Sequence, residues 1–338
     1  MNIKRLAATG VMLAMLLTGA VMAHGETADF GNPADFKTGM EENFYVQEGS
    51  FRELDTIKMA SQGKLMSCFG NNAGSVYTVF FLPPAPEQDY AIGNPQRGWA
   101  DEAPTAIDDP EIENYPANPF FSPAGWQYKL RQDEALVLFT GLPPQCKYYS
   151  FINYILFTQE KELKDYTSEK AYFRVGNQDI GLYHPVFGSI GSSIHAGNVK
   201  STDGSPYGSQ AVIVISANQT VTDTVLAQLK ASGFSEDVIN VMTIPAETYR
   251  MGLEKGKDTF AFLGRISQPE SQEDYDAYIA NLKETSTVYR VTPKEEVADA
   301  PYENETLIPR GTGVHEAASL PRVEEHLDEM RKAIIAQY

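Results

Sequence analysis

Five side chains between positions 184 and 195 are of the types a hydrolase uses: His184, Ser189, Ser192, Ser193 and His195, spaced by Gly188 and Gly191 and followed by Gly197. Glycines of this kind bare backbone N–H groups to an anion or an oxyanion. Ser192 or Ser193 would act as nucleophile and His195 as base, with Asp203 or Asp179 orienting the imidazole. The competing reading is a glycine-rich loop whose hydroxyls satisfy their own backbone. Longer catalytic signatures are missing. There is no G-x-S-x-G pentad and no G-x-G-x-x-G. The Gly252 to Lys257 stretch is one residue short of a phosphate loop and continues with Asp258. His315-Glu316 is followed by Ser319 where a zinc helix needs its second histidine. Ser61-Gln62-Gly63-Lys64 and Lys37-Thr38-Gly39 match two elements of penicillin-recognising enzymes, but in reversed order and without the third.

A second group of residues suits binding rather than bond making. Trp99, Phe120, Phe121, Trp126 and Tyr128, with Asn94 and Arg97, are the materials of an apolar pocket with a few polar anchors. Arg97, Trp99, Trp126 and Tyr128 are the expected ligand contacts; aromatic packing of the loop onto a sheet is the plainer use of the same residues. Asp101, Glu102, Asp108, Asp109, Glu111 and Glu113 offer oxygen ligands for calcium, although their spacing is not that of an EF-hand. His24 is a metal candidate of another kind. Were it the first residue of the mature chain, its amino group and ring, with one of His184, His195, His315 or His326, would form a copper brace. No cofactor is specified by any of these patterns.

Residues 1–23 explain why His24 would come first. Lys4 and Arg5 precede an uncharged apolar run from Leu6 to Leu17, and Val21-Met22-Ala23 supplies a cleavage site, which together read as an export signal. The run is short for a span of about 20 residues and is broken by Thr9, Gly10, Thr18 and Gly19, so a chain without membrane insertion after cleavage is expected, secreted or periplasmic. Cleavage removes two positive charges and no negative ones, moving the net charge from −18 to −20. Such a surface repels phosphate backbones, so nucleic acid is not an expected partner; a small molecule is. In an exported chain the two cysteines, Cys68 and Cys146, are expected to pair, against the alternative of two buried thiols. Closing a loop of about 80 residues would stabilise the fold by about 4.5 kcal/mol less any strain.

The elements that must position these residues read as α+β: a mostly β N-terminal half, then alternating strands and helices. Strands are expected at Ser75 to Leu82, stopped by Pro83-Pro84, and at Ala135 to Thr140 and Tyr148 to Phe157 on either side of a Gly-Pro turn. Residues 85–125 read as a long ordered loop and 161–209 as loop-rich. Ala211 to Ser216 has the uniform apolarity of a strand buried on both faces. Helices are expected at 222–232, capped by Gly233, at 235–241, at 272–282 and at 322–336, with strands at 259–266 and 287–291. The expected division is a β lobe over 24–160 and an α/β lobe over 161–338 that are not independent. A structural or interaction protein, using the acidic final helix near Glu324, Glu325 and Asp328, is the third functional reading.

The stretch Ile308-Pro309-Arg310-Gly311-Thr312-Gly313, followed by Glu316 and the final helix, together with Gly208 to Ile215 and Asp258 to Arg265, resembles a family of uncharacterised exported bacterial proteins. The resemblance covers most of the mature chain. It implies export and an α+β fold and carries no activity.

Overall fold

The computed structural model describes residues 29–54, 75–86, 88, 126–160, 173–174, 182–254, 256–304 and 320–337. Its described strands are β1 (Phe44–Leu54), β2 (Ser75–Phe81), β3 (Ala135–Gly141), β4 (Cys146–Glu160), β5 (Phe173–Arg174), β6 (Leu182–His195), β7 (Gln210–Ser216), β8 (Ile239–Thr243), β9 (Thr259–Pro269) and β10 (Thr287–Pro293). The described helices are α1 (Pro33–Met40), α2 (Gln219–Ala231), α3 (Gln272–Thr285) and α4 (Leu320–Gln337). The protein is α+β and strand-rich, as its sequence pattern implies.

The strands follow one another in the order β5-β6-β4-β9-β2-β1-β10-β3-β7-β8. β1 belongs to two sheets. Its Phe44–Gly49 half pairs antiparallel with β10, and its Ser50–Leu54 half pairs antiparallel with β2. The handover needs a residue without a side chain at Gly49, where a Cβ would lie 2.5 Å from the Phe81 carbonyl oxygen. The first sheet then runs β1-β10-β3-β7-β8, with only β7 and β8 parallel, and the second runs β1-β2-β9-β4-β6-β5. Strands from both sides of residue 160 are therefore interleaved in each sheet. The described residues up to Tyr302 form one compact unit, and the described residues from Glu303, including α4, a second.

β7 shows how alternation builds the layers. Val212 and Val214 pack with Phe36, Met40, Val221, Val225 and Leu229 of α1 and α2, while Ala211, Ile213 and Ile215 join Phe51, Phe80, Phe262 and α3's Leu282 between the sheets. All six residues from Ala211 to Ser216 are buried, as their uniform apolarity implies. The far face of the second sheet carries a third cluster of Leu54, Val79, Phe81, Trp126, Leu156, Phe157 and Ala261.

α2 begins at Asn218, whose side chain accepts from the Val221 N–H, and ends at Gly233 in the left-handed region at φ 88°. The helix expected over 235–241 is instead a 3-10 turn, Glu236–Val238, followed by β8. Ile239 and Val241 are β-branched, and the free edge of β7 gives them a parallel partner. The region read as loop-rich contains β6, whose glycines mark irregularities in a strand rather than its absence.

Candidate functional site

Ser192, Ser193 and His195 lie at the end of β6. Ile194 pairs with Phe151 and Ile190 with Asn153, so Gly191, Ser192 and Ser193 stand opposite Ile152 alone in a bulge, with Gly191 at φ 63°. Ser192 is exposed and His195 half-buried. The imidazole Nδ1 accepts the Gly197 N–H at 3.0 Å, and Asn198 bridges the His195 N–H (2.8 Å) and the Ser193 carbonyl (2.9 Å). With Nδ1 held as an acceptor, the neutral ring carries its proton on Nε2, the opposite of what a base needs there. Asp203 caps its own turn by accepting the Ser205 N–H at 2.8 Å. His184 sits in β6 opposite Thr158, eleven residues before His195 along the strand. These contacts describe a well-tied turn, with the oriented triad geometry not assembled among them; Asp179 lies outside the described residues.

The structure separates the two described members of the expected aromatic cleft. Tyr128 pairs with Phe260 through Tyr128 N–H to Phe260 O (2.9 Å) and Phe260 N–H to Tyr128 O (2.7 Å), and its ring is buried between the sheets. Trp126 packs in the cluster on the far face of the second sheet. Arg97 and Trp99 lie outside the described residues, as do His24, Cys68 and the acidic stretch from Asp101 to Glu113. Cys146 is buried beside Tyr207, whose hydroxyl donates to its carbonyl at 3.2 Å, and burial pushes its thiol pKa up. Among the described residues no group of three or more His, Cys, Asp or Glu is placed to hold a metal ion, and no helix is long and apolar enough to cross a membrane.

Behind Tyr128 lies a buried ion pair. Glu134 and Arg290 are both fully buried, with Arg290 Nη1 at 3.4 Å from Glu134 Oε2. The carboxylate also accepts from the Arg131 N–H (2.8 Å) and the Thr292 hydroxyl (2.5 Å), and Arg290 Nη2 donates to the Lys129 carbonyl at 2.9 Å. Two charges without water are tolerable only with this degree of satisfaction. Lys129 points elsewhere: its ammonium donates to the Glu254 carbonyl at 2.7 Å, and burial lowers its pKa to about 8.

Several buried polar atoms of the fold, the Tyr128 hydroxyl and Thr78 Oγ1 among them, have no hydrogen-bond partner, and two such atoms belong to the far face of the second sheet. Trp126 Nε1 and Thr259 Oγ1 are both buried, and neither has a hydrogen-bond partner. Strand alternation puts Thr259 on the same face as Trp126: Phe260 and Phe262 face the other sheet, so Thr259 and Ala261 face the Trp126 side, and Thr259 is paired with Phe157. A buried polar group without a partner costs about 1–3 kcal/mol. The same face carries Arg52, whose guanidinium is 3.8 Å from the Phe81 ring centroid, and Arg265, 6.0 Å from that of Tyr77. Burial raises the Tyr77 pKa, with Arg265 opposing.

Phe187 borders this face. Its ring meets Phe157 edge-on at 5.4 Å while remaining 46% exposed beside Val186 at 42%. It sits in the β6 bulge opposite Leu156 at φ 49°, a conformation that costs a bulky residue about 1–3 kcal/mol. Backbone strain of this size collects at binding and switching sites. Sequence reasoning finds Trp126 but misses Thr259 and Phe187. The alternation from Thr259 to Arg265 places Thr259 opposite the phenylalanines and was available; the φ of Phe187 has no local signal.

No protein-family model, curated protein or solved structure matches this chain, so its function rests on the residues themselves.

Proposed function

We propose that this chain is an exported binding protein that holds a small molecule, apolar in body and carrying an acceptor oxygen, against the far face of the second sheet. The observation that supports it is two buried donors belonging to this face, Trp126 Nε1 within the apolar cluster and Thr259 Oγ1 paired in strand to Phe157 of that cluster, that have no hydrogen-bond partner. An acceptor group reaching either atom would satisfy a donor that the protein does not satisfy itself. Phe157 and Leu156 supply the apolar wall, and the exposed Phe187 the rim. Arg52 and Arg265 on the same face favour an anionic over a cationic ligand. Export is supported by Lys4, Arg5 and the apolar run behind them.

Thr259→Val tests the reading because it keeps the shape and removes only the hydroxyl. In ligand-free protein the melting temperature is expected to rise, by the equivalent of about 1 kcal/mol, while binding of the probe benzoate, read by Trp126 fluorescence in a Trp99→Phe background, weakens. A lower melting temperature together with unchanged benzoate binding would show that the hydroxyl serves the fold and that no acceptor meets it.

A further inference from the structure

A polar row crosses the far face of the second sheet away from Trp126 and Thr259. Ser150 of β4 stands opposite His195 of β6 on one side and Arg265 of β9 on the other, and Arg265 stands opposite Tyr77 of β2. Residues directly opposite in neighbouring strands put their side chains on one face, with Cβ atoms about 4.5–5.5 Å apart. In the adjoining row Ile194 and Phe151 belong to the core between the sheets, so Tyr77, Arg265, Ser150 and His195 share the far face. The row on the other side, Ser75, Ser267 and Tyr148, is uncharged. Neither polar row holds a carboxylate, in a chain of net charge −18.

Three members of the row present donors. Arg265 Nε donates to Ser75 Oγ at 3.2 Å, and the guanidinium carbon lies 6.0 Å from the Tyr77 ring centroid. These contacts hold the fork in place, and its two Nη groups have no hydrogen-bond partner among the described residues. His195 Nδ1 accepts the Gly197 N–H, so the neutral ring carries its hydrogen on Nε2; the tautomer that unfits it as a base makes it a donor. Ser150 adds a hydroxyl from a residue only 4% exposed, while Arg265 and His195 are half-buried and within reach of a solute.

We infer that this row binds a phosphate group, free or as a monoester. The Arg265 fork donates two N–H groups to two of its oxygens, and His195 Nε2–H and the Ser150 hydroxyl donate to the others. The donors come from three neighbouring strands about 4.8 Å apart, so they converge from different directions, which suits a tetrahedral oxyanion better than a planar carboxylate. Arg265 lies six residues from Thr259 along β9, about 20 Å at about 3.4 Å per residue, so one small molecule does not span both places. The phosphate site therefore stands or falls independently of the ligand at Trp126.

Isothermal titration calorimetry of the whole chain with inorganic phosphate, phenyl phosphate and acetate tests it. Both phosphates should bind, the tighter of them identifying the free anion or the ester as the natural source, and acetate should bind at least about tenfold more weakly. Arg265→Gln should weaken phosphate binding by about tenfold or more, Ser150→Ala and His195→Gln should weaken it several-fold, and Thr259→Val should leave it unchanged. Arg265→Lys, which keeps the charge and loses the fork, should fall between Arg265→Gln and the unsubstituted protein. Phosphate should also raise the melting temperature of the unsubstituted protein and not that of Arg265→Gln, which checks that the variant is folded and has lost only the site. No binding of either phosphate at millimolar concentration, or binding indifferent to Arg265→Gln and His195→Gln, overturns the site. Acetate binding as tightly as phosphate overturns the choice of a tetrahedral anion.

Discussion

Raising the pH should unfold this protein cooperatively before its buried tyrosines ionise. Tyr128, Tyr149, Tyr275 and Tyr289 are all buried, and burial raises the pKa of each; for Tyr289 it is pushed up to about 12. The Tyr128 hydroxyl has no partner, and that of Tyr149 donates to the Pro206 carbonyl at 2.8 Å, a bond that a phenolate cannot make. In the unfolded chain each titrates near pH 10. A folded pKa above the unfolded one means a contribution fully present below about pH 10 and lost as pH climbs from there toward the folded value. Each tyrosine then costs about 1.4 kcal/mol per pH unit, and four together between about 5 and 6 kcal/mol per unit. Against a total stability of about 5–15 kcal/mol, the transition falls roughly one to three units above pH 10. The assay is a paired titration of tyrosinate absorbance and far-ultraviolet circular dichroism. The four buried tyrosines should ionise only together with the loss of dichroism. Smooth ionisation of all tyrosines near pH 10 with native dichroism retained would refute the burial argument.

Lys129 acts in the opposite sense over a lower range: its depressed pKa of about 8 makes stability rise between about pH 8 and 10.5, by at most roughly 3 kcal/mol, and Lys129→Met should flatten that slope in urea titrations at successive pH values. Arg290→Ala strands the Glu134 carboxylate in a dry interior and should cost about 3–5 kcal/mol in chemical denaturation, while Glu134→Gln with Arg290→Met recovers much of it. Gly264→Ala would set a Cβ 2.1 Å from Thr78 Oγ1 and 3.1 Å from the Phe151 ring, for a loss of about 1–3 kcal/mol by the same measure; adding Thr78→Ala should relieve most of the clash.

How far the fold was legible follows from where local signals are strong. The unbroken apolar run at Ala211 to Ser216, the Pro83-Pro84 stop after β2 and the Gly233 cap each act over a few residues, and each element lies where its signal puts it. β6 was hidden because its glycines and serines serve a bulged strand, and their composition alone is that of a loop. β1 was hidden for a related reason: a strand shared by two sheets changes its buried face at Gly49, so no single alternation runs through it. The candidate site follows the same division. Trp126 and Tyr128 are two apart and read as members of one cleft, yet Tyr128, held by its pairing with Phe260, lies in the cluster between the sheets and Trp126 in the cluster on the far face. Which polar atoms stay unpartnered is a property of the assembled faces and has no trace in the order of residues.

Whether Trp126 and Thr259 meet a ligand is decided by native mass spectrometry of the protein purified gently from the cells that make it. The expected mass exceeds that of the bare polypeptide by one small molecule, released on denaturation and diminished in Trp126→Phe and Thr259→Val. A bare polypeptide mass, with no species retained under the mildest conditions and none taken up from a benzoate-containing buffer, would contradict it.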